Sequence, residues 1–201
     1  LLRASTNYLN FNPNKIFKFI QVSTDEVFGS LGSKGVFNEN SQLSPRNPYS
    51  ATKAAADHLV FSWYNTYGLP TIVSNCSNNF GPFQNNEKLI PKTVESIIKK
   101  EHIQIYGSGK NIRDWLYVKD HALGILKLFT HGRIGERYCI GGGEELSNIQ
   151  LVNKICEIAD KVLNLECSSK NLINFIVDRP GHDFRYAIDD RKFRSEMKYI
   201  N

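Results

Sequence analysis

The segment that decides the fold opens with the run Phe17-Lys18-Phe19-Ile20-Gln21-Val22-Ser23. This run is apolar and aromatic, which predicts a buried strand. We predict a helix from Tyr49 to Tyr67, because Asn47-Pro48 is typical of a helix start and Gly68 of a helix end. A second strand is predicted at Thr71-Ile72-Val73-Ser74. A strand, a helix and a strand in this order predict a parallel sheet with a right-handed crossover.

Short elements follow in the second half of the chain. Ser147 and Gln150 have the spacing of a capping box, which predicts a helix that continues to Leu163. The run from Asn78 to Pro82 consists of turn residues and is predicted to be a turn. Further helices are predicted at 90–100 and 120–129, and further strands at 103–106, 115–118, 137–140, 175–177 and 186–188.

Composition limits the classes of function. The 201 residues are 41% hydrophobic and 22% charged, as in ordinary α/β domains, and carry a net charge of +5. The basic residues are scattered, with no run longer than Lys99-Lys100, so we expect a small phosphorylated ligand and no nucleic acid. No apolar stretch is long enough to span a membrane, so we expect no membrane partner.

The four cysteines are Cys76, Cys139, Cys156 and Cys167. They form no Cys-x-x-Cys unit and no Cys/His pattern with metal-ligand spacing, which predicts that the chain has no metal site. Three of them lie in apolar segments. We therefore expect free, reduced and mostly buried thiols, and a cytoplasmic protein.

Tyr49 and Lys53 are candidate catalytic residues. Their spacing places both side chains on one face of the predicted helix, one turn apart. A tyrosine has a pKa near ~10, and a nearby ammonium group lowers it by favouring the phenolate. We therefore expect Lys53 to lower the pKa of Tyr49. A helix face that carries an unrelated tyrosine and lysine is the alternative.

Thr24, Asp25 and Glu26 come directly after Ser23, at the expected end of the first strand. The carboxyl ends of strands in a parallel sheet are where ligands bind, so hydroxyl, phenol and ammonium groups are expected to converge there. Two adjacent carboxylates at such a crevice are costly unless they are solvated or have separate tasks. A solvated acidic turn is the alternative.

Several long motifs occur in the order found in the dTDP-glucose 4,6-dehydratases, a family of the short-chain dehydrogenase/reductase superfamily. They resemble the family's STDEVYG, NCSNNYGP, EKLIP, RDWLYV-x-DH and DRPGHDxRYAID patterns and extend over nearly the whole chain. Phe28, Phe80 and Phe83 stand where the family usually has tyrosine. The matching runs are residues 23–29, 75–82, 87–91, 113–121 and 178–189.

The resemblance implies an α/β fold: the C-terminal half of a Rossmann-like doubly wound parallel sheet with a smaller α/β substrate-binding lobe. Residues 1–82 would form the sheet domain with the catalytic residues, and residues 83–201 mainly the lobe, with about 112–140 returning to the Rossmann domain. The family's Gly-rich phosphate loop is nowhere in this chain, since Gly141-Gly142-Gly143 lies in the wrong part of the pattern. We expect that loop in a segment preceding Leu1, and a last helix that continues beyond Asn201.

The resemblance also implies an activity, the conversion of dTDP-glucose to dTDP-4-keto-6-deoxyglucose and water with NAD as cofactor. Tyr49, with Lys53 and Thr24, would deprotonate the hydroxyl on sugar carbon 4 while a hydride passes to NAD. Glu26 would remove the proton on carbon 5, and Asp25 would protonate the hydroxyl that leaves carbon 6. Because these carboxyl groups have opposite tasks, we predict that the surroundings of Asp25 raise its pKa.

Residues of the remaining motifs are implied to bind the ligands. Tyr49, Lys53 and Asn79 would contact NAD. Positive charge for a diphosphate would come from Lys88, Arg113 and Arg179. His58 and His121 lie on predicted helices and are interpreted as structural. The residues implied to bind the nucleotide sugar are Thr24, Asp25, Glu26, Asn78, Lys88, Leu89, Gln104, Ile105, Tyr106, Arg113, Asn148, Asp178, Arg179, Pro180, Gly181 and His182.

Two other functions stay open. One is another NAD-dependent nucleotide-sugar enzyme, a 4-epimerase or a decarboxylase, which would share Tyr49 and Lys53 but would not need Asp25 and Glu26. The other is a non-catalytic nucleotide-sugar-binding protein, against which the intact catalytic set argues. We also expect a homodimer, because the helix from Tyr49 to Tyr67 is apolar on more than one face.

Overall fold

The computed structural model describes residues 1–199 and has the α/β architecture that the sequence predicts. Within these residues no helix is both long and apolar enough to cross a membrane. The helices are α1 (Leu2–Phe11), α2 (Pro48–Tyr67), α3 (Leu89–Lys99), α4 (Val118–His131), α5 (Asn148–Val162) and α6 (Arg191–Met197). The strands are β1 (Phe19–Thr24), β2 (Thr71–Cys76), β3 (Asn78–Phe80), β4 (Ile103–Tyr106), β5 (Ile112–Tyr117), β6 (Arg137–Ile140), β7 (Glu145–Ser147) and β8 (Ile173–Ile176).

The main sheet is parallel and has the strand order β1-β2-β6. Its register pairs Thr24 with Cys76, and Cys76 with Ile140, so the three strands end at the same edge. The chain leaves this edge through Asp25 after β1 and through Ser77 after β2. The parallel sheet and its crossover helix α2 confirm the predicted strand–helix–strand unit.

Helices cover both faces of this sheet, because alternate residues of a strand point to opposite sides. Tyr138 and Ile140 of β6 pack into one buried cluster with Leu128 of α4 and Phe193 of α6. Cys139, between them, belongs to a second cluster that includes Ala54 of α2. The sheet is therefore buried on both sides, as the mostly apolar sequences of its strands require.

Helix α2 begins and ends at residues suited to those positions. Asn47 caps its first turn in a capping box with Ser50, and Pro48 occupies the first helical position. Gly68 ends it in the left-handed conformation, with φ of 65°. The prediction of a helix from Tyr49 to Tyr67 is confirmed.

Two smaller sheets complete the fold. In one, β5 lies between β3, to which it is parallel, and β7, to which it is antiparallel. In the other, β4 pairs with β8 beside a cluster in which Ile97 of α3 meets Val152 of α5. The division into two lobes near residue 82 stays a prediction.

Two predictions about local structure are wrong. Residues 78–80 form a strand and not a turn, because Asn78 pairs with Trp115 and the backbone bonding of β5 overrides the turn preference of asparagine. Residues 186–188 form no strand and are held only through isolated bridges, such as the one from Phe37 to Ile188. The last described helix ends at Met197, and the prediction of a helix continuing beyond Asn201 lies outside the described residues.

Gly142 belongs to the glycine run that did not match a phosphate loop, and the structure shows its role. A Cβ atom at this position would lie 1.8 Å from the backbone oxygen of Trp115. Its N–H donates to Oδ2 of the buried Asp114 at 2.9 Å. The run after β6 therefore requires glycine for close packing against β5.

Candidate active site

A cleft of about 970 Å³ opens at the edge where β1 and β2 end. Its wall contains all five predicted catalytic residues and all but one of the other predicted ligand-binding residues. The exception is Asp178, which lies outside the wall. The predicted site residues in the wall are Thr24, Asp25, Glu26, Tyr49, Lys53, Asn78, Asn79, Lys88, Leu89, Gln104, Ile105, Tyr106, Arg113, Asn148, Arg179, Pro180, Gly181 and His182.

Asp25 and Glu26 lie next to each other in a 3₁₀ turn that follows β1, but their surroundings differ. Asp25 is 1% exposed, whereas Glu26 is half-buried. The Thr24 hydroxyl donates to Oδ1 of Asp25 at 3.2 Å, and its oxygen accepts the Glu26 N–H at 3.3 Å. Oδ2 of Asp25 is buried with no hydrogen-bond partner within residues 1–199.

The environment of Asp25 raises its pKa to about 7, from an ordinary value of 3.8. Burial is the largest cause, because it disfavours the charged form, and the negative charge of Glu26 is the second. The prediction that the pKa of Asp25 is raised is confirmed. Near neutral pH its carboxyl group can therefore hold a proton beside a second carboxyl group that faces the cleft.

The prediction for Tyr49 is wrong. Its pKa is raised and not lowered, first by partial burial and then by the negative charge of Glu26. The Lys53 ammonium donates to the carbonyl oxygen of Val22 at 2.7 Å. Val22 lies near the end of β1, so Lys53 is held against the strand. The helix spacing does bring both side chains to the cleft, yet burial and the negative charge of Glu26 raise the pKa of the phenol.

Arg113 supplies a buried cation to the same cleft. Its guanidinium lies 4.4 Å from the centre of the Tyr186 ring, and Nη2 donates to the Asp183 backbone oxygen at 2.9 Å. Within the described residues no carboxylate lies within 4.0 Å of it. Carbonyl groups and an aromatic face thus hold the cation without neutralising it, which suits an anionic ligand.

The segment from Asp178 to His182 borders the same cleft. Oδ1 of Asp178 lies 2.7 Å from Nδ1 of His182, and the His182 ring meets the Tyr106 ring edge-on at 6.4 Å. Asp178 therefore orients the His182 ring, and Arg179 and His182 line the cleft. The contact of Asp178 itself with the ligand stays a prediction.

His121 lines the cleft, although its helical position suggested a structural role. Its Nδ1 lies 2.8 Å from Oδ1 of Asn79, whose amide nitrogen donates to the Ser77 backbone oxygen at 2.9 Å. Because the Asn79 oxygen must accept, Nδ1 of His121 carries the proton. Burial lowers the pKa of His121, so the ring is neutral and Nε2 is an acceptor. The signal was available, since His121 follows the end of β5 by four residues, at the sheet edge where ligands bind.

Several polar atoms of the wall are buried and have no partner within residues 1–199. They include both acceptors and a donor, which fits a ligand that presents amide and hydroxyl groups. In the described residues no group of three or more His, Cys, Asp or Glu side chains has the arrangement of a metal site. The unpartnered atoms are Asp25 Oδ2, Ser77 Oγ, Asn78 Oδ1, Gln84 Oε1, Trp115 Nε1 and His121 Nε2.

A sequence model of one enzyme family, described as GDP-mannose 4,6 dehydratase, matches residues 1–201. The chain belongs to the GDP-mannose 4,6 dehydratase family. Curated relatives share about half of its residues: a probable dTDP-glucose 4,6-dehydratase of Sinorhizobium fredii is 50% identical over 94% of the chain. The dTDP-glucose 4,6-dehydratase of Shigella flexneri is 46% identical over 98% of it.

Solved structures agree with this membership. The dTDP-glucose 4,6-dehydratase of Bacillus anthracis, crystallised with NAD, is 41% identical and superposes on 98% of this family member with a TM-score of 0.87. The predicted Rossmann-like fold is thereby confirmed. The chain spans 54% and 58% of the two curated relatives and 60% of the crystallised one.

Proposed function

We propose that the complete protein that carries this chain is an NAD-dependent dTDP-glucose 4,6-dehydratase. The observation that carries the proposal is the pair of carboxyl groups at the end of β1. Asp25 is buried with a pKa of about 7, and Glu26 beside it is half-buried and borders the same cleft. Removing water from a sugar requires one group that donates a proton and one that accepts a proton, and this pair supplies both.

Each catalytic side chain has a task that its position supports. Tyr49 and Thr24 border the cleft next to the acid pair, so they would hold the hydroxyl on carbon 4. Tyr49 would take its proton once the positive charge of bound NAD offsets the raised pKa of the phenol. Glu26 would take the proton from carbon 5. Asp25, kept neutral by burial, would give its proton to the hydroxyl that leaves carbon 6. Lys53 would hold the cofactor ribose from the anchored position that its bond to Val22 defines.

The residues present fit NAD. Tyr49, Lys53 and Asn79 face the cleft, and the unpartnered Nε2 of His121 offers an acceptor to an amide donor. Bound NAD would supply the redox chemistry by accepting a hydride from the sugar and later returning it. These side chains would orient the ligand, while the Gly-rich loop for its phosphates is absent from the sequence given.

The cleft residues outside the segment 22–53 suit a nucleoside diphosphate. Gln104, Ile105 and Tyr106 of β4 would lie along the base and the deoxyribose, and Arg113 and Arg179 would face the diphosphate. Lys88, Leu89, Asn148, Pro180, Gly181 and His182 complete this part of the cleft. The curated relatives are dTDP-glucose enzymes, which favours thymine over the guanine of the family's name.

We also propose a cytoplasmic homodimer. Helix α1 has no buried residue, and large apolar side chains on it and on α2 are exposed, among them Phe11 (86%), Leu59 (51%) and Tyr67 (60%). Covering them against the same helices of a second copy would bury one continuous patch. The buried, unpaired Cys76, Cys139 and Cys156 suit a reducing compartment. A monomer at micromolar concentration in sedimentation would contradict the dimer.

The function is tested by incubating the complete protein with dTDP-glucose and NAD and identifying the sugar product by mass spectrometry. We expect a 4-keto-6-deoxy sugar, with no net formation of NADH. A product of unchanged mass, such as dTDP-galactose, would show that the reaction is epimerisation. Unchanged dTDP-glucose that nevertheless protects the protein from thermal unfolding would favour a non-catalytic binding protein.

A further inference from the structure

Asn47 connects the start of helix α2 to the carboxyl group of Glu26. Its side-chain oxygen Oδ1 accepts the N–H of Ser50 at 2.8 Å, which caps the helix. Its side-chain nitrogen Nδ2 donates to Oε2 of Glu26 at 3.3 Å. One amide group thus accepts a hydrogen bond in the first contact and donates one in the second.

The cap determines which end of the amide faces Glu26. A side-chain amide has its acceptor on one side and its donors on the other. Because the Ser50 N–H requires an oxygen, the nitrogen must point away from the helix, toward Glu26. Ser50 is fully buried, and its hydroxyl oxygen accepts the Asn47 backbone N–H at 3.3 Å, so this anchor is firmly held.

Glu26 depends on this contact for its orientation. Within residues 1–199 no other side chain donates to its carboxyl group, and no lysine or arginine pairs with it. Glu26 follows Asp25 in a single 3₁₀ turn whose backbone fixes the Cα position but not the side chain. The bond from Asn47 holds Oε2 and leaves Oε1 unbonded at the cleft.

We propose that Asn47 is a positioning residue for Glu26, holding its carboxyl group where it removes the proton from the substrate. The inference rests on the proposed function. It assigns to the capping residue of α2 a second task, which ties the position of the base to the helix that carries Tyr49 and Lys53.

Two substitutions separate the cap from the donor. Serine and aspartate cap helices about as well as asparagine does, so Asn47→Ser and Asn47→Asp should both unfold within about 2 °C of the unchanged protein. Neither offers a donor to Glu26. The serine hydroxyl is too short to reach it, and the aspartate places a like charge beside it.

The measurement is made on the complete protein with NAD and dTDP-glucose in D₂O. Absorbance follows the rise of NADH after mixing, and mass spectrometry follows the incorporation of deuterium at carbon 5. In Asn47→Ser we expect the NADH rise to stay within about 2-fold and deuterium incorporation to slow about 10-fold, as for loss of a hydrogen bond to a charged group. Asn47→Asp should slow incorporation further, by about 100-fold, with the same NADH rise.

The outcomes distinguish the inference from the function on which it rests. No NADH rise in the unchanged protein would overturn the proposed function itself. A normal NADH rise with unchanged deuterium incorporation in both variants would show that Asn47 only caps the helix. Equal slowing of both signals in Asn47→Ser, with a lowered unfolding temperature, would overturn the positioning role by showing a general structural effect.

Discussion

The two walls of the cleft are built in different ways. The wall that we call catalytic runs from Val22 to Lys53: a strand end, one 3₁₀ turn and the start of one helix bring its residues together. The wall that we call the nucleotide wall combines β4, the buried Arg113 and the segment 178–186, which are far apart in the sequence. The first contains the carboxyl groups of Asp25 and Glu26, and the second contains the guanidinium groups of Arg113 and Arg179.

This difference separates chemistry from binding. A buried carboxyl group is costly to a fold, because burial disfavours its charged form, and Asp25 is a buried carboxyl group that borders the cleft with a raised pKa. The buried cation of the nucleotide wall, Arg113, is held by backbone carbonyls and an aromatic ring and remains free to pair with a ligand. Substitutions in the catalytic wall should therefore lower kcat, and those in the nucleotide wall should raise KM.

Tyr49→Phe should have the largest effect. It removes the only phenol of the catalytic wall, so we expect the rate of the first oxidation to fall by about 10⁴-fold. The measurement is the rise of NADH absorbance in a single turnover. Tyr67→Phe, at the far end of the same helix, is the control and should behave as the unchanged protein. A near-normal NADH rise in Tyr49→Phe would remove that residue from its assigned task.

Glu26→Gln should permit the first oxidation and block the step after it. We expect incorporation of solvent deuterium at carbon 5 to fall by about 10³-fold, because an amide cannot accept the proton as a carboxylate does. NADH and the keto-sugar should accumulate on the protein. If the NADH rise is lost as it is in Tyr49→Phe, Glu26 serves binding or folding and not proton removal.

Asp25→Asn should slow the loss of the carbon 6 hydroxyl by about 10²-fold, because an amide is a far weaker acid. The first hydride transfer should stay largely intact. In the unchanged protein the same step should slow as pH rises above about 7, where Asp25 loses its proton. Rapid-quench analysis of the keto-sugar over a range of pH measures both effects, and a flat pH profile would contradict the acid role.

Asp25→Asn should also change the free energy of unfolding, by an amount that depends on pH. Asp25 has a pKa of about 7 in the folded protein and 3.8 as its ordinary value, so between these values the folded state binds more protons than the unfolded state. The free energy of unfolding should therefore fall as pH rises through this range, by up to about 4 kcal/mol. Asp25→Asn should remove this loss and be the more stable protein near pH ~8. Equal urea midpoints at all pH values would contradict the burial argument.

Arg179→Ala should have the smallest effect and a different character. Loss of one exposed cation facing the diphosphate should raise KM for dTDP-glucose about 10-fold and change kcat little. Steady-state kinetics measure the two constants separately. The control is Arg191→Ala, because Arg191 is an exposed arginine at the start of α6 that pairs with Asp189. A fall in kcat with unchanged KM would end the assignment of Arg179 to the nucleotide wall.

The sequence predicted the catalytic wall better than the other because its residues are neighbours along the chain. Thr24, Asp25 and Glu26 follow one another, and the spacing of Tyr49 and Lys53 follows from helix geometry. His121 was harder to recognise, because only its position four residues after the end of β5 indicated the cleft, and its contact with Asn79 depends on how β5 lies beside β3.

The pKa values of the site residues show the same limit of prediction from sequence. The raised pKa of Asp25 followed from the need for an acid beside a base, but the raised pKa of Tyr49 did not follow from its lysine neighbour. Helix spacing specifies which groups share a face. It does not specify that Lys53 bonds to a strand carbonyl while burial and the charge of Glu26 raise the pKa of the phenol.

The division of tasks between the two carboxyl groups requires Asp25 to keep its proton near neutral pH. Burial beside Glu26 favours the protonated form. The titration of Asp25 can be followed directly by ¹³C NMR of the side-chain carboxyl carbon in protein labelled at aspartate, with Asp25→Asn used to assign the signal. We predict a pKa of about 7 for Asp25, and a lower pKa in Glu26→Gln, where the neighbouring negative charge is removed. Titration of Asp25 near its ordinary 3.8, unchanged by Glu26→Gln, would contradict the division of tasks between the two carboxyl groups.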